Sequence, residues 1–105
     1  MALTRDFKET VRERAIADPE FREELLKESL QCFVSGDVET GKAVLRDYIN
    51  ATIGFEELSV LTDTPVKSLM RMFGPRGNPQ ARNLFRVIDQ LQRRTGVQLQ
   101  VQAVR

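Results

Sequence analysis

The chain has no histidine. That excludes a His-based catalytic triad and any imidazole metal site. It has one cysteine, Cys32. A single thiol builds neither an intrachain disulfide nor a thiolate zinc site, and such usage fits a reducing, cytoplasmic compartment. No apolar run approaches the roughly 18 residues of a membrane span, so no membrane association is expected. Residues Met1 to Asp6 carry no apolar h-region, so no signal peptide is expected either. Carboxylates are plentiful, but no spacing singles out a catalytic pair on a helical chain rich in surface Glu. No catalytic constellation survives these absences, and neither an enzyme nor a cofactor is expected.

What the chain does have is an uneven charge distribution. Its 105 residues carry a formal charge of only +1. From Met1 to Asp63 there are 8 Lys/Arg against 14 Asp/Glu, a net of −6. From Thr64 to Arg105 there are 8 against 1, a net of +7. A basic half implies a partner with regularly spaced negative charge, and duplex DNA is the obvious one. The length fits one domain, residues 1–105, and 41% apolar content supplies a core.

Hydrophobic periodicity predicts an all-α domain of six helices. The first runs from Thr4 to about Ala17, with Phe7, Val11 and Ala15 on one stripe. Asp18-Pro19 is a cap followed by a first-turn proline, and opens a second helix to about Val34. Its stripe is Phe21, Leu25, Leu26, Leu30, Phe33 and Val34. Ser35-Gly36-Asp37 is a loop, and Asp37 caps a third helix reaching about Thr52 that buries Val44, Leu45, Tyr48 and Ile49. Gly54 ends that acidic part, residues 1–53.

A fourth helix, Phe55 to Leu61, a turn at Thr62-Asp63-Thr64, and a fifth helix capped by Thr64 with Pro65 at its first position read as a helix-turn-helix. Ser59 is the small residue that lets the helices approach. Asp63 tolerates the positive φ such a turn demands. Leu58, Leu61, Val66, Leu69 and Phe73 can bury the pair. The start of the fifth helix, at Thr64 and Pro65, leaves N–H groups and a positive dipole end for a phosphate. Gly74-Pro75-Arg76-Gly77 is a loop, closed by Asn78-Pro79 as cap and proline. A sixth helix from Pro79 to about Arg94 buries Leu84, Phe85, Val87, Ile88 and Leu91, and Gly96 ends it. Residues 54–95 thus form the DNA-binding part. In the remainder, 96–105, Val97, Leu99 and Val101 alternate with Gln98 and Gln100, as in a short strand. A lone strand needs a partner, and the same strand of a second copy would make a homodimer; a frayed tail is the alternative.

The stretch Phe55 to Phe73, FEELSVLTDTPVKSLMRMF, resembles the lambda-repressor/Cro-like (XRE) helix-turn-helix family. With the loop 74–79, the amphipathic helix after it, the Gly and the short apolar strand, the chain resembles more closely the HigA-type addiction-module antidote proteins. Asp18-Pro19-Glu20-Phe21 and Leu45-Arg46-Asp47 fit that pattern too, so the resemblance covers about residues 18–101. The departures are Asp63 where the family usually has Gly, and Thr64-Pro65 where an apolar residue and Ser are common.

The resemblance implies that Pro65, Val66, Lys67, Ser68, Met70 and Arg71 face the DNA groove. Lys67 or Arg71 suits guanine O6/N7, and Val66 suits a thymine methyl; with Met70 these are the expected base contacts. Thr64, Ser68, Arg76 and Asn78 are the expected phosphate contacts. The alternative is a helical hairpin whose Lys and Arg are merely solvated. Arg82, Arg86 and Arg93 lie close to one face of the sixth helix, as a solvated face or as further DNA contacts.

The acidic half is either a solvated face or, as the resemblance implies, part of a surface for a basic ribonuclease-like toxin of the RelE/HigB type. The expected function is an operon-autoregulating repressor and antitoxin. Two blocks of chemistry stay outside it. Gly36 to Ala43 spells G-x-x-x-x-G-K but ends on Ala, lacks the hydroxyl that would hold magnesium, and carries two carboxylates that repel phosphate. Cys32 lies on a buried stripe, as an inert core thiol. A repressor without a toxin partner and a non-DNA-binding interaction adaptor are the competing readings.

Overall fold

The computed structural model describes the backbone of residues 5–105, and the side chains of Thr10 and of residues 12–105. The expected Thr4 start and the expected burial of Phe7 and Val11 lie outside what is described. Every regular element in the described residues is a helix: α1 Arg5–Ala17, α2 Pro19–Val34, α3 Val38–Ala51, α4 Gly54–Thr62, α5 Val66–Met72 and α6 Ala81–Thr95.

Local chemistry sets the first boundaries. The Asp18 carboxylate accepts from the Glu20 N–H at 3.0 Å and the Phe21 N–H at 3.4 Å, satisfying two donors that α2 leaves unpaired. Asp37 does the same for the Thr40 N–H at 3.3 Å, after Gly36 turns the chain with φ +90°. These are two of the four caps the sequence predicts.

The helices pack in two groups. In the first, α2 lies along α3 and α1 packs on both. In the second, α4 packs on α5 and α6. Contact between α3 and α4 joins the groups, and one core runs through both. Leu26 of α2 and Leu45, Tyr48 and Ile49 of α3 meet Phe55 and Leu58 of α4, Leu69 of α5, Phe73, and Val87, Ile88 and Leu91 of α6. Burial of that apolar surface is the main stabilising term. The Tyr48 hydroxyl donates to Thr95 Oγ1 at 2.8 Å, and Thr95 donates onward to the Leu91 carbonyl at 2.6 Å. Every fully buried side-chain N or O atom among the described residues has a hydrogen-bond partner.

Several expectations need correction. Val34 is 78% exposed and Phe85 59% exposed. At about 100° per residue, Val34 stands about 80° round α2 from Leu26, and Phe85 about 100° round α6 from Leu84. Both stripes are therefore narrower than the run of apolar letters implies. Val44 is only half-buried. Helix α6 begins at Ala81 rather than Pro79; its N-cap is Gln80, with no side-chain cap, so Asn78 caps nothing. Residues 97–105 have no regular structure. Val97 and Leu99 pack against the core, the Leu99 N–H donates to Gln92 Oε1 at 2.8 Å, and Val101 is fully exposed. No strand among the described residues stands beside this segment to complete a ladder. No described helix is long and apolar enough to cross a membrane.

Candidate nucleic-acid interface

The site is built on the junction between α4 and α5. Asp63 has φ 51° and ψ 45°, and is the single non-glycine residue at positive φ among those described. A short polar side chain is tolerated in this left-handed region better than a branched one. The Thr64 N–H donates to the Ser59 carbonyl at 3.1 Å, and the Asp63 N–H to the Val60 carbonyl at 3.4 Å. These are the paired 6→1 and 5→2 bonds of a Schellman closure. Ser59 Oγ then donates to the Thr64 carbonyl at 2.6 Å, so Ser59 holds the turn through both its backbone and its side chain. Phe55 and Phe73 meet at 6.4 Å between ring centroids, fixing the far end of α5 against the start of α4.

Thr64 does not cap α5. Its hydroxyl donates back to the Thr62 carbonyl at 3.0 Å and its N–H is held by Ser59. The N-cap is Pro65, which has no side-chain hydrogen bond to offer, and the helix begins at Val66. The expected phosphate-facing N–H and hydroxyl of Thr64 are thus engaged inside the turn.

Helix α5 turns Leu69 inward and leaves Lys67, Ser68, Met70 and Arg71 exposed. Met70 is 55% exposed. Val66 is half-buried and packs on the core, at the edge of this face rather than in its middle. Pro65, Arg76 and Asn78 are exposed.

The positive charges differ in their company. Arg93 pairs with Asp89 at 3.0 Å, and Arg94 makes a two-pronged contact with Glu57 at 3.0 and 3.2 Å. That hydrogen-bonded carboxylate holds Arg94 more firmly protonated than an isolated guanidinium. Lys67, Arg71, Arg76, Arg82 and Arg86 are exposed, and no carboxylate pairs with any of them among the described residues. Between Thr64 and Ile88 the chain has no acidic residue at all.

The burial of one lysine is not evident from the sequence. Lys42, the lysine of the G-x-x-x-x-G-K string, is 1% exposed and faces inward. Its ammonium donates to the Gly74 carbonyl at 3.0 Å and the Gly77 carbonyl at 2.7 Å, and pairs with Glu39 at 3.0 Å. The signal was present: Lys42, Leu45 and Ile49 share the i, i+3, i+7 stripe of a buried helix face. The string itself forms the start of α3 and cradles no phosphate. Cys32 is buried; burial, then the neighbouring Glu28 and Asp37 carboxylates, push its thiol pKa up, so it is a poor nucleophile.

An open groove of about 530 Å³ lies where α1, α2, α4 and α6 approach one another, lined in part by Ile16, Arg22, Thr52, Glu57 and Arg94. Both arginines are engaged, Arg94 by Glu57 and Arg22 by the Ala15 and Ile16 carbonyls at 3.1 and 2.8 Å. Among the described residues, no three His, Cys, Asp or Glu side chains gather as a metal site. No protein-family model, curated protein or solved structure matches the chain.

Proposed function

We propose that this protein is a cytoplasmic, sequence-reading DNA-binding repressor, with α4, the Asp63 turn and α5 as its helix-turn-helix. The observation that carries the reading is the set of five exposed, carboxylate-free basic side chains from Lys67 to Arg86, arranged on and after a short helix held by a tight left-handed turn. A solvated helix face ordinarily mixes both signs of charge. Here Lys67 and Arg71, one turn apart on α5, reach base edges with Met70 to one side of them, and Val66 touches the groove from the edge of that face. Ser68, Arg76 and Asn78 meet phosphates. Thr64 contributes by shaping the turn.

The repressor acts as a homodimer on a palindromic operator in its own promoter, and blocks polymerase sterically. Two copies pair through residues 97–101: Val97 and Leu99 rest on each protomer's own core, Val101 stands exposed, and pairing would draw this segment into a two-stranded ribbon. The exposed carboxylates Glu20, Glu23, Glu24 and Glu28 of α2 belong to a half that duplex DNA repels. They suit a basic protein partner, and the likeness to HigA-type antidotes makes that partner a RelE/HigB-like toxin. A small basic reading frame beside the gene supports the antitoxin role; without one, the protein is a stand-alone regulator.

The test is fluorescence anisotropy of the protein with the gene's upstream duplex and with random duplex, at several salt concentrations. Preference for the upstream duplex, weakened by about 1–3 kcal/mol in Lys67→Ala or Arg71→Ala, supports the reading. Equal, weak binding to both duplexes that neither substitution changes overturns it. That outcome favours a second reading, an interaction adaptor, for which the exposed Met70 and Phe85 are the specific observation.

A further inference from the structure

We propose that Lys42 is a positioning residue for DNA binding: from α3, it holds the Gly74–Gly77 loop so that Arg76 meets a phosphate while α5 lies in the groove. The proposal rests on the DNA-binding reading above and adds to it a residue from the acidic half.

The geometry is specific to a clamp. An ammonium has three protons and no acceptor capacity. All three have partners here: the Gly74 and Gly77 carbonyls and the Glu39 carboxylate. The two carbonyls lie 32 and 35 residues further along the chain and flank Pro75 and Arg76. The loop between them is closed on itself by the Gly77 N–H donating to the Gly74 carbonyl at 3.0 Å. It is also pressed against the end of α5. A Cβ on Gly77 would collide with the Arg71 and Met72 carbonyl oxygens, so only glycine fits that approach.

The other end of the clamp is fixed as firmly. A Cβ on Gly41 would stand 2.8 Å from the Phe33 ring, so α2 lies directly on the turn of α3 that presents Lys42. Lys42 is therefore a rigid strut with one end in the α1–α3 group and the other on the loop that follows α5. Arg76 sits between the two clamped carbonyls, and its own side chain is exposed. Its position relative to Lys67 and Arg71 depends on that loop. A phosphate contact needs such a fixed offset, because the spacing of phosphates along a duplex is fixed.

The experiment is a double-mutant cycle on the full chain, read by anisotropy with the gene's upstream duplex across salt concentrations. The chains are wild type, Arg76→Ala, Lys42→Met and the double variant, with Lys67→Ala made in both backgrounds. Circular dichroism fixes a temperature at which all are folded, and Lys42→Gln replaces Lys42→Met if the latter does not fold. Arg76→Ala is expected to weaken wild-type binding roughly tenfold and to reduce the salt slope by about 1. Lys42→Met is expected to do the same, and the double variant to be no worse than Lys42→Met alone. Lys67→Ala keeps its full effect in both backgrounds, which a general loosening of the fold would not allow.

If Arg76→Ala weakens binding equally with and without Lys42, or has no effect in wild type, the clamp proposal is overturned while the DNA reading stands. If wild type shows no preference for the upstream duplex, the DNA reading falls and takes this proposal with it.

Discussion

The two halves of this chain use positive charge differently. In the α1–α3 half, Arg14 lies 4.6 Å over the Phe21 ring, Arg22 donates to the carbonyls that end α1, and Lys42 is buried on two loop carbonyls. These three cations are engaged by neighbouring groups, whereas Arg12 and Lys27 of the same half are exposed. Between Lys67 and Arg86, in contrast, five cations stand exposed without a carboxylate. The same contrast recurs within α6, whose last turn is neutralised by Asp89 and Glu57 while Arg82 and Arg86 nearer its start are not. Total charge thus says little about a partner; what counts is which charges the fold leaves unpaired.

The largest effect expected is on the core that both halves share. Leu58→Ala removes a fully buried side chain from α4 and should cost about 2–5 kcal/mol. Urea denaturation followed by circular dichroism should still give one transition, moved to lower urea. Two separated transitions would mean that the halves fold independently.

The turn comes next. Asp63→Val places a β-branched residue at φ 51° and should cost about 1–2 kcal/mol, whereas Asp63→Gly should be neutral or slightly stabilising. Thermal melts of the two variants separate these outcomes, and equal melting temperatures would contradict the left-handed turn.

Tyr48→Phe removes one of the bonds that tie α3 to α6, and should cost about 1 kcal/mol at neutral pH. Burial raises the pKa of this phenol, with Thr95 opposing, so the folded state holds the proton more tightly than the unfolded chain. That contribution is complete below the unfolded pKa of about 10 and is lost as pH rises through the folded value. Wild type should therefore lose stability from about pH 10 upward by more than Tyr48→Phe does. Both chains keep the similar share from Cys32, whose pKa is also raised. Parallel curves for the two chains would sink the assignment.

The smallest effect sharpens the contrast within α6. Arg82→Ala should weaken binding to any duplex and lower the salt slope by about 1, while Arg93→Ala, already neutralised, should change neither. Salt titrations by anisotropy decide this, and equal losses for both would remove the distinction between paired and unpaired arginines.

Much of this was legible in the residues, because much of it is local. Asp18 and Asp37 cap helices through their own neighbours, and Asp63 adopts positive φ because the Ser59-to-Thr64 turn closes on itself. What stayed hidden depends on distant partners or on exact angles. Phe85 looked like core because it sits among apolar letters, yet it lies off the buried arc. Thr64 looked like a cap, but its hydroxyl found a carbonyl two residues back. Lys42 was set aside with a false phosphate-loop string, since no local rule pairs a lysine with carbonyls 32 and 35 residues away. The exposed face of α5 is legible at Lys67, Ser68, Met70 and Arg71; Val66 reads both as part of the buried pair and as a base contact, and its half-burial against the core fits the first.

The most direct test of the central claim is amide chemical-shift mapping of the labelled protein titrated with its own upstream duplex. The account predicts that shifts concentrate at Lys67, Ser68, Met70, Arg71, Arg76 and the first turns of α6, and saturate with one duplex per dimer. Shifts confined to helices α2 and α3, or none at all, would contradict it.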